Sequence, residues 1–312
     1  MGLRFSVLAS GSSGNASLIE ADGFGVLLDA GLGPRQLASR LKAIGRDWHD
    51  IHAMLLTHTH SDHWNDRVFA TLQRHNIPLF CHADHHIALR GGSPAFTELR
   101  DAGYVRGYEM AQSFQLSRTM TCTPLPVKHD ETTCGFRFEA TMDLFGRPQT
   151  LAYAADLGCW TADLADALAN TDILALEFNH DEFLERTSRR NPALIKRVLG
   201  DRGHLSNAQA ADLLREILKR SEPGRPQHVV QLHLSRQCNR PAMAADAARV
   251  VVEQMQADVA VHTARQNAHG PTLTIGEQEG KQVHVRVKRV VRRKMAVVSR
   301  HSQPLLPGWE DG

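Results

Sequence analysis

The first third of the chain consists of short apolar runs that alternate with amphipathic segments. Apolar runs bounded by Gly, Asn and Asp predict strands, and the pair Asp22-Gly23 between two such runs predicts a hairpin. The periodic apolar residues between Pro34 and Gly45 predict a helix. The predicted strands are FSVLAS (5–10), ASLIEA (16–21), FGVLLDAG (24–31), HAMLLT (52–57) and IPLFCH (77–82), and the second predicted helix is WNDRVFATLQRHN (64–76).

A second block of strands and helices follows the first. Its predicted strands are SFQLSRTMTCTPLPV (113–127), TCGFRFEAT (133–141), TLAYAAD (150–156), DILALEFN (172–179) and QHVVQLHLS (227–235). Its predicted helices are ADLADALANT (162–171), NAQAADLLREILKR (207–220) and PAMAADAARVVVEQM (241–255). Both blocks end near histidines, which suggests two similar halves packed sheet against sheet with helices outside. We therefore predict the α+β class and a four-layer αββα sandwich.

The character of the sequence changes at about residue 276. Eight Lys and Arg residues lie between Lys281 and Arg300, and a segment containing Pro and Gly follows them. The alternation in QVHVRVKRVV (282–291) predicts that part of this segment is a strand. We predict a main domain over residues 1–275 and a basic C-terminal appendix over residues 276–312.

Composition narrows the class of protein but does not give its function. The chain has 312 residues, of which 42% are hydrophobic and 22% charged, as expected of a globular protein with a sizeable core. A net charge of +2 does not by itself indicate a nucleic-acid partner. Five scattered cysteines argue against a disulfide framework, and neither a signal peptide nor a membrane span is predicted. We expect a cytoplasmic protein without membrane association, and its oligomeric state is left open.

Metal-binding side chains are concentrated in the segment THTHSDH, residues 57–63. His58 and His60 are two residues apart, so both side chains point to the same side of an extended segment. Asp62 and His63 lie at the following turn, before the next helix. Four such side chains at the end of a buried strand can serve two neighbouring ions from opposite sides, so the segment predicts a metal site.

This HxHxDH pattern resembles the signature of the metallo-β-lactamase superfamily, and the strand that ends at Asp29 resembles the segment that precedes the signature there. The resemblance implies seven ligands for two divalent ions, zinc or manganese. Asp29 is expected to support the site rather than to bind an ion. The implied ligands are, for one ion, His58, His60 and His129; for the second ion, Asp62, His63 and His233; and, bridging both ions, Asp156.

Three further segments resemble the phosphodiesterase branch of this superfamily, which includes tRNase Z. GHLSNAQAA (203–211) resembles the helix start that carries a histidine in that branch. LALEFNHD (174–181) resembles the strand end that carries a glutamate, and LHLSR (232–236) resembles the last ligand motif. This resemblance implies that Glu177 orients His204 and that His204 acts as a general acid.

Over residues 4–265 the pattern is similar to the YycJ/WalJ group of nucleases of this fold, which is linked to exonuclease activity on DNA. SGSSGN (10–15) and DLG (156–158) carry part of this resemblance, and the first of them is either a plain turn or a backbone nest for phosphate. The 77 residues between Asp156 and His233 are too few for the inserted domain of the β-CASP nucleases. A Gly- and Pro-rich arm of the tRNase Z kind is also not evident, so those kinds of RNA processing are not expected.

The resemblance implies a metal-dependent hydrolase that is a phosphodiesterase or nuclease, with DNA as the favoured substrate. A hydroxide shared by the two ions would attack phosphorus, Asp62 would hold its proton, and His204 would protonate the leaving oxygen. Asn179 and His180 are expected either to contact substrate or to form a turn. Cationic residues of the appendix are expected either to contact phosphates or to stay solvated; they are Lys281, Arg286, Lys288, Arg289, Arg292, Arg293 and Lys294.

Two alternative functions stay open at the level of the sequence. The fold also supports small-molecule hydrolases that cleave a thioester or a lactone, and a metal-bearing nucleic-acid-binding module without catalysis is conceivable. Glu177 and His204 favour phosphodiester cleavage, because an alkoxide leaving group needs a proton whereas the acyl hydrolases do not need that pair in the same way. The full set of candidate ligands argues against a module that has lost catalysis.

Overall fold

The computed structural model describes residues 2–141, 146–266 and 268–276, and the structural statements that follow concern these residues. They form two seven-stranded sheets with nine α-helices around them. In chain order the helices are α1 (Pro34–Ala43), α2 (Asp66–Arg74), α3 (His85–Gly92), α4 (Pro94–Asp101), α5 (Ala162–Leu168), α6 (Glu182–Arg186), α7 (Pro192–Val198), α8 (Asn207–Arg220) and α9 (Pro241–Gln254).

The first sheet takes six of its seven strands from the first 108 residues of the chain. From edge to edge these strands are β14 (Thr272–Ile275), β1 (Leu3–Ala9), β2 (Ala16–Ala21), β3 (Phe24–Leu28), β4 (Ala53–Leu55), β5 (Leu79–His82) and β6 (Val105–Tyr108). The predicted hairpin joins β2 to β3, and both turn residues, Asp22 and Gly23, have the positive φ that such tight turns need. From β3 to β6 the strands are parallel.

The second sheet repeats this mixed arrangement. From edge to edge its strands are β13 (Ala260–Thr263), β12 (His228–Leu232), β11 (Ile173–Glu177), β10 (Gln149–Ala154), β9 (Thr133–Ala140), β8 (Met120–Val127) and β7 (Phe114–Gln115). The prediction of one strand over residues 113–127 is wrong, because Ser117 to Thr119 form a tight turn and the flanking segments pair antiparallel, with Phe114 opposite Cys122.

Three apolar clusters separate the layers. One lies between the two sheets and contains Phe5, Phe136 and Phe138, all fully buried. A second packs α1, α2 and α4 on the outer face of the first sheet, and a third packs α5, α8 and α9 on the second sheet. The predicted α+β four-layer αββα sandwich is therefore confirmed. None of the helices in the described ranges has the length and apolar composition needed to cross a membrane.

Candidate metal centre

The predicted site residues lie at the carboxyl ends of adjacent strands. β10, β11 and β12 are parallel, so their carboxyl ends meet at one edge of the second sheet. Asp156 lies two residues after β10, Glu177 ends β11, and His233 follows β12 directly. His129 lies two residues after β8, whose partner β9 runs the opposite way. Segments remote in sequence thereby deliver four polar side chains to one place.

The backbone bends sharply at three positions in and behind the site. Asp29, Asp156 and His233 have φ values of +58°, +59° and +56°, in the left-handed region that non-glycine residues seldom adopt. Each such residue costs of order 1–2 kcal/mol, and these conformations persist where the surrounding structure holds them, commonly at functional sites. All three residues come at or just after the end of a strand, where the bend turns the chain into the site.

The first group of candidate ligands consists of His58, His60 and His129. His58 Nε2 lies 3.0 Å from His60 Nδ1, and His129 Nε2 lies 3.4 Å from the same atom. His129 Nδ1 donates to the carbonyl oxygen of Gly203 at 2.9 Å, which leaves its Nε2 with a lone pair. Nitrogen donors around a tetrahedral zinc ion, each at about 2.0–2.1 Å, are themselves roughly 3.3 Å apart. The spacing of the three nitrogens therefore fits one cation.

The second group consists of Asp62, His63 and His233. Asp62 Oδ2 lies 3.6 Å from His63 Nε2 and 3.4 Å from His233 Nε2. His63 Nδ1 contacts Asp29 Oδ2 at 2.7 Å, and a carboxylate behind an imidazole fixes its tautomer and orients its other nitrogen toward a metal. Asp29 thus lies behind His63, and its support of a metal site stays a prediction. The second group offers one oxygen and two nitrogens to a cation.

Asp156 lies between the two groups. Its Oδ2 atom is 3.2 Å from His63 Nε2, its Oδ1 atom is 3.2 Å from His233 Nδ1, and it also forms a potential ligand group with His58 and His63. Oδ2 is buried and has no hydrogen bond among the described residues. Buried polar atoms are almost always satisfied, so an orphaned carboxylate oxygen facing imidazole nitrogens fits a bound cation.

The electrostatics of the site also fit cations. Although burial opposes ionisation, the hydrogen bond from His233 and the charge of His63 lower the pKa of Asp62 to about 2. Burial by itself lowers the pKa of His63, but the charges of Asp29 and Asp156 outweigh it and raise that pKa to about 10. The carboxylates of the site thus favour positive charge on the groups beside them, and bound divalent cations would supply such charge.

Glu177 and His204 form a hydrogen-bonded pair beside these groups. Glu177 Oε1 accepts from His204 Nδ1 at 2.9 Å and from His233 Nδ1 at 2.9 Å. Burial opposes its ionisation, but the charge of His204 and the hydrogen bonds from both histidines lower the pKa of Glu177 to about 2. The His204 side chain is 17% exposed and lines a cleft of about 700 Å³ together with His233 and Asn179. The partly exposed side chain of His204 therefore faces the cleft beside the candidate ligands.

The remaining predicted contact residues lie in different surroundings. Asn179 donates from Nδ2 to the carbonyl oxygen of His233 at 2.8 Å, so its amide holds the loop that carries this candidate ligand. His180 is 1% exposed, and protein atoms enclose both of its ring nitrogens, so a substrate does not reach them in this conformation. The basic residues of the appendix lie outside the described part of the chain: Lys281, Arg286, Lys288, Arg289, Arg292, Arg293 and Lys294.

Three further residues contact the candidate ligands, and the sequence alone assigns none of them to the metal site. Ser10 Oγ accepts from the backbone N–H of His233 at 2.8 Å. Asn15 donates from Nδ2 to Asp62 Oδ2 at 3.1 Å. Asp130 Oδ1 lies 3.2 Å from His60 Nε2, and its other oxygen pairs with a cation on α7. The sequence does point to the segment 10–15, because SGSSGN is part of the resemblance to the YycJ/WalJ group. For Asp130 the sequence offers only its position next to the candidate ligand His129.

A two-sheet sandwich with such a cluster at its strand ends defines the class of metallo-β-lactamase-fold enzymes. Residues 25–225 match the family described as the beta-lactamase superfamily domain, and the chain belongs to this family. The predicted fold is therefore confirmed, and so is the predicted enzyme class, a metal-dependent hydrolase. The family implies divalent metal binding.

Individual relatives point to one branch of the family. The exodeoxyribonuclease WalJ of Streptococcus pneumoniae is 28% identical over 268 residues, which cover 84% of this chain and 91% of the relative. The exodeoxyribonuclease YycJ of Bacillus anthracis is 25% identical over 261 residues, which cover 81% of this chain and 90% of the relative. The solved metallo-β-lactamase-fold protein YhfI from Bacillus subtilis matches with a TM-score of 0.62 and 18% identity, over 88% of this chain and 100% of that chain. The predicted resemblance to the YycJ/WalJ group is confirmed.

Proposed function

We propose that the chain is a two-metal phosphodiesterase that degrades DNA from an end. The observation that carries this proposal is the pair of Glu177 and His204, 2.9 Å apart and open to the cleft beside the candidate ligands. A histidine held by a carboxylate suits the protonation of a departing sugar oxygen, which acyl hydrolases do not require in the same way. Two relatives named exodeoxyribonuclease support DNA as the substrate.

The metal part of the proposal concerns the seven clustered side chains. When bound, two divalent ions supply Lewis acidity toward phosphoryl oxygens and lower the pKa of a water molecule toward neutrality. Zinc and manganese both suit a mixed imidazole and carboxylate set. The residues that would hold the ions are His58, His60 and His129 on one side, Asp62, His63 and His233 on the other, and Asp156 between them.

The protein side chains divide the proton transfers between them. Asp62, 21% exposed and ionised at neutral pH, accepts a proton from the attacking water. His204 donates a proton to the leaving oxygen, and Glu177 fixes the ring so that Nε2 is the free nitrogen. General acid help of this kind contributes about 10²–10⁴-fold to the rate.

The cytoplasmic location of the protein and the domain boundary at residue 275 stay predictions.

A substrate panel tests the proposal. The chain, loaded with zinc and separately with manganese, is incubated with single- and double-stranded DNA, RNA, a chromogenic phosphodiester and a thioester. We expect mononucleotides from DNA and nitrophenolate from the chromogenic diester, and we expect the thioester to stay intact. Asp156→Ala is the control for contaminating nucleases, because it removes the residue between both ligand groups. Cleavage of the thioester without cleavage of any diester would establish the acyl-hydrolase alternative.

A further inference from the structure

Three adjoining surface depressions run past the candidate metal centre. The middle one is the cleft that His204 and His233 line. It shares Arg190 with a depression on the side of α6, and it shares Arg236 with a depression on the side of α9. Together the three are lined by five arginines, which we name the arginine track: Arg189, Arg190, Arg236, Arg240 and Arg265.

The lining of these depressions has one sign of charge. Among the described residues that line them there is no Asp or Glu. A fourth depression, next to β1 and β2, shows the contrast, because there Arg4 and Arg46 are matched by Glu20 and Asp22. A concave surface of one sign attracts and holds a polyanion, and arginine is the side chain best suited to phosphate.

Three arginines of the track have no protein partner among the residues that the structure describes. Arg189, Arg236 and Arg265 are exposed, and none of them makes a hydrogen bond or an ion pair with another residue in the described ranges. Within the described ranges, the Arg240 guanidinium donates to the carbonyl oxygens of Gln237 and Asn239. The guanidinium groups of Arg189, Arg236 and Arg265 are available to a ligand, since none of them has to break a bond to another described residue first.

Arg190 has a different task in the same surface. It pairs with the fully buried Glu185 of α6 at 3.0 Å and donates to Gln237 and Ser235, which follow β12. It thereby ties the loop that carries Arg189 to the loop that carries Arg236. Arg190 is a positioning residue that keeps the two sides of the track at a fixed distance.

From these observations, and resting on the proposed function, we propose that the arginine track guides a single DNA strand through the cleft by its phosphates. The described residues of the lining include no Phe, Tyr or Trp, so base stacking on an aromatic ring is not part of the contact that they offer. Contacts to phosphate carry no sequence information. The strand is therefore held independently of its sequence, as progressive removal of nucleotides requires.

The test compares two double variants in the full-length, metal-loaded chain. R189A/R265A removes one free arginine from each outer depression of the track. R106A/R118A is the matched control, because both residues are exposed and line none of the three depressions. Arg106 lies in β6 of the first sheet, and Arg118 follows β7, at the opposite edge of the second sheet from β12 and β13, which lead into the track. Binding of a phosphorothioate single-stranded oligonucleotide is measured by fluorescence anisotropy over a series of salt concentrations, with metal content measured in parallel.

For R189A/R265A we expect the slope of log affinity against log salt to shrink by about 1.4, since each phosphate contact to a single strand contributes about 0.7. At 0.1 M salt this change corresponds to a loss of affinity of about 25-fold. The control variant should keep the wild-type slope. The loss should be smaller for a trinucleotide, which spans less of the track, and it should be equal for oligonucleotides of different sequence and for RNA.

Two results would overturn the proposal of the arginine track, and only the second of them would also overturn the proposed function. If the wild type cleaves DNA while R189A/R265A keeps its salt slope and affinity, the track is wrong and the proposed function stands. If the wild type neither binds nor cleaves DNA with zinc or with manganese, the proposed function fails and the track fails with it. A loss confined to one base sequence would contradict the contact to phosphates.

Discussion

At the scale of single residues, Glu177 makes four hydrogen bonds at once. Its Oε1 atom accepts from two histidines, and its Oε2 atom accepts from the backbone N–H groups of Leu157 and Leu205 at 3.1 and 3.2 Å. The histidines are His204, the proposed acid, and His233, a candidate ligand. One buried carboxylate therefore orients both a group of the chemical step and a group of the metal site.

His204→Ala separates these two tasks. We expect the variant to bind metal like the wild type and to cleave DNA about 10²-fold more slowly or worse, because the leaving sugar oxygen no longer receives a proton. The loss should be much smaller on a nitrophenyl diester, whose leaving group needs no proton. Turnover of both substrates is the measurement, and equal losses on both would contradict the general-acid role.

Glu177→Gln has a wider effect than His204→Ala. An amide has only one oxygen, so its NH₂ group faces either the two histidine N–H groups or the two backbone N–H groups. A buried donor left unpaired costs about 1–3 kcal/mol, and loss of the group that orients a ligand weakens metal binding about 10–100-fold. Competition with a chelator measures the affinity, with His204→Ala as the comparison. Unchanged metal affinity would mean that Glu177 does not orient His233.

At the scale of elements, close backbone contacts fix the loop that carries the HxHxDH segment. A Cβ atom on Gly31, which follows β3, would lie 1.8 Å from the carbonyl oxygen of Asp62. The backbone N–H of Asn15 also donates to that oxygen at 2.7 Å. The loops after β1 and β3 thus hold the segment from behind, and only glycine fits at position 31.

Gly31→Ala should therefore disturb the metal loop. We expect a loss of about 1–3 kcal/mol in the free energy of unfolding, as in other overpacked sites, together with weaker metal binding. Gly107→Ala is the control, because a Cβ atom there meets no atom within 4 Å. Urea unfolding and metal titration of both variants check this expectation. A Gly31→Ala variant indistinguishable from Gly107→Ala would contradict the tight contact.

The sequence predicts those parts of the site whose residues lie close together along the chain or follow a predicted strand. The segment from His58 to His63 is contiguous and follows an apolar strand, so the pattern alone indicates a metal site. His129, Asp156 and His233 could be named because each follows a buried strand and matches a family motif. Other features depend on tertiary folding: Ser10 and Asn15 reach the site through loop packing, which no periodicity reveals.

At the scale of the whole molecule, the net charge of +2 conceals an uneven distribution. The arginine track comes from three loops between residues 189 and 265, and acidic residues elsewhere balance it. The cations of the basic appendix are close together in the sequence and are therefore evident as a group, whereas the arginines of the track are dispersed along the chain. The appendix lies outside the described residues, and its contribution to substrate binding stays a prediction.

Truncation after residue 276 tests that contribution. The candidate ligands all precede this point, and β14, which pairs with β1, ends at Ile275, so metal content and turnover of a chromogenic diester should stay near wild-type values. The truncation removes eight Lys and Arg residues, and loss of the seven predicted phosphate contacts among them should weaken DNA binding and reduce its salt slope by up to about 5. An unchanged slope in the truncated chain would identify the appendix as a solvated segment.

Counting the bound ions tests the proposal that the clustered side chains hold two metal ions. The chain is stripped with a chelator, reconstituted with zinc or manganese, freed of excess metal and subjected to elemental analysis. The arrangement of two ligand groups around Asp156 predicts two ions per chain, and Asp156→Ala should lose both or most of their affinity. Saturation at one ion per chain, or no binding at all, would contradict the account.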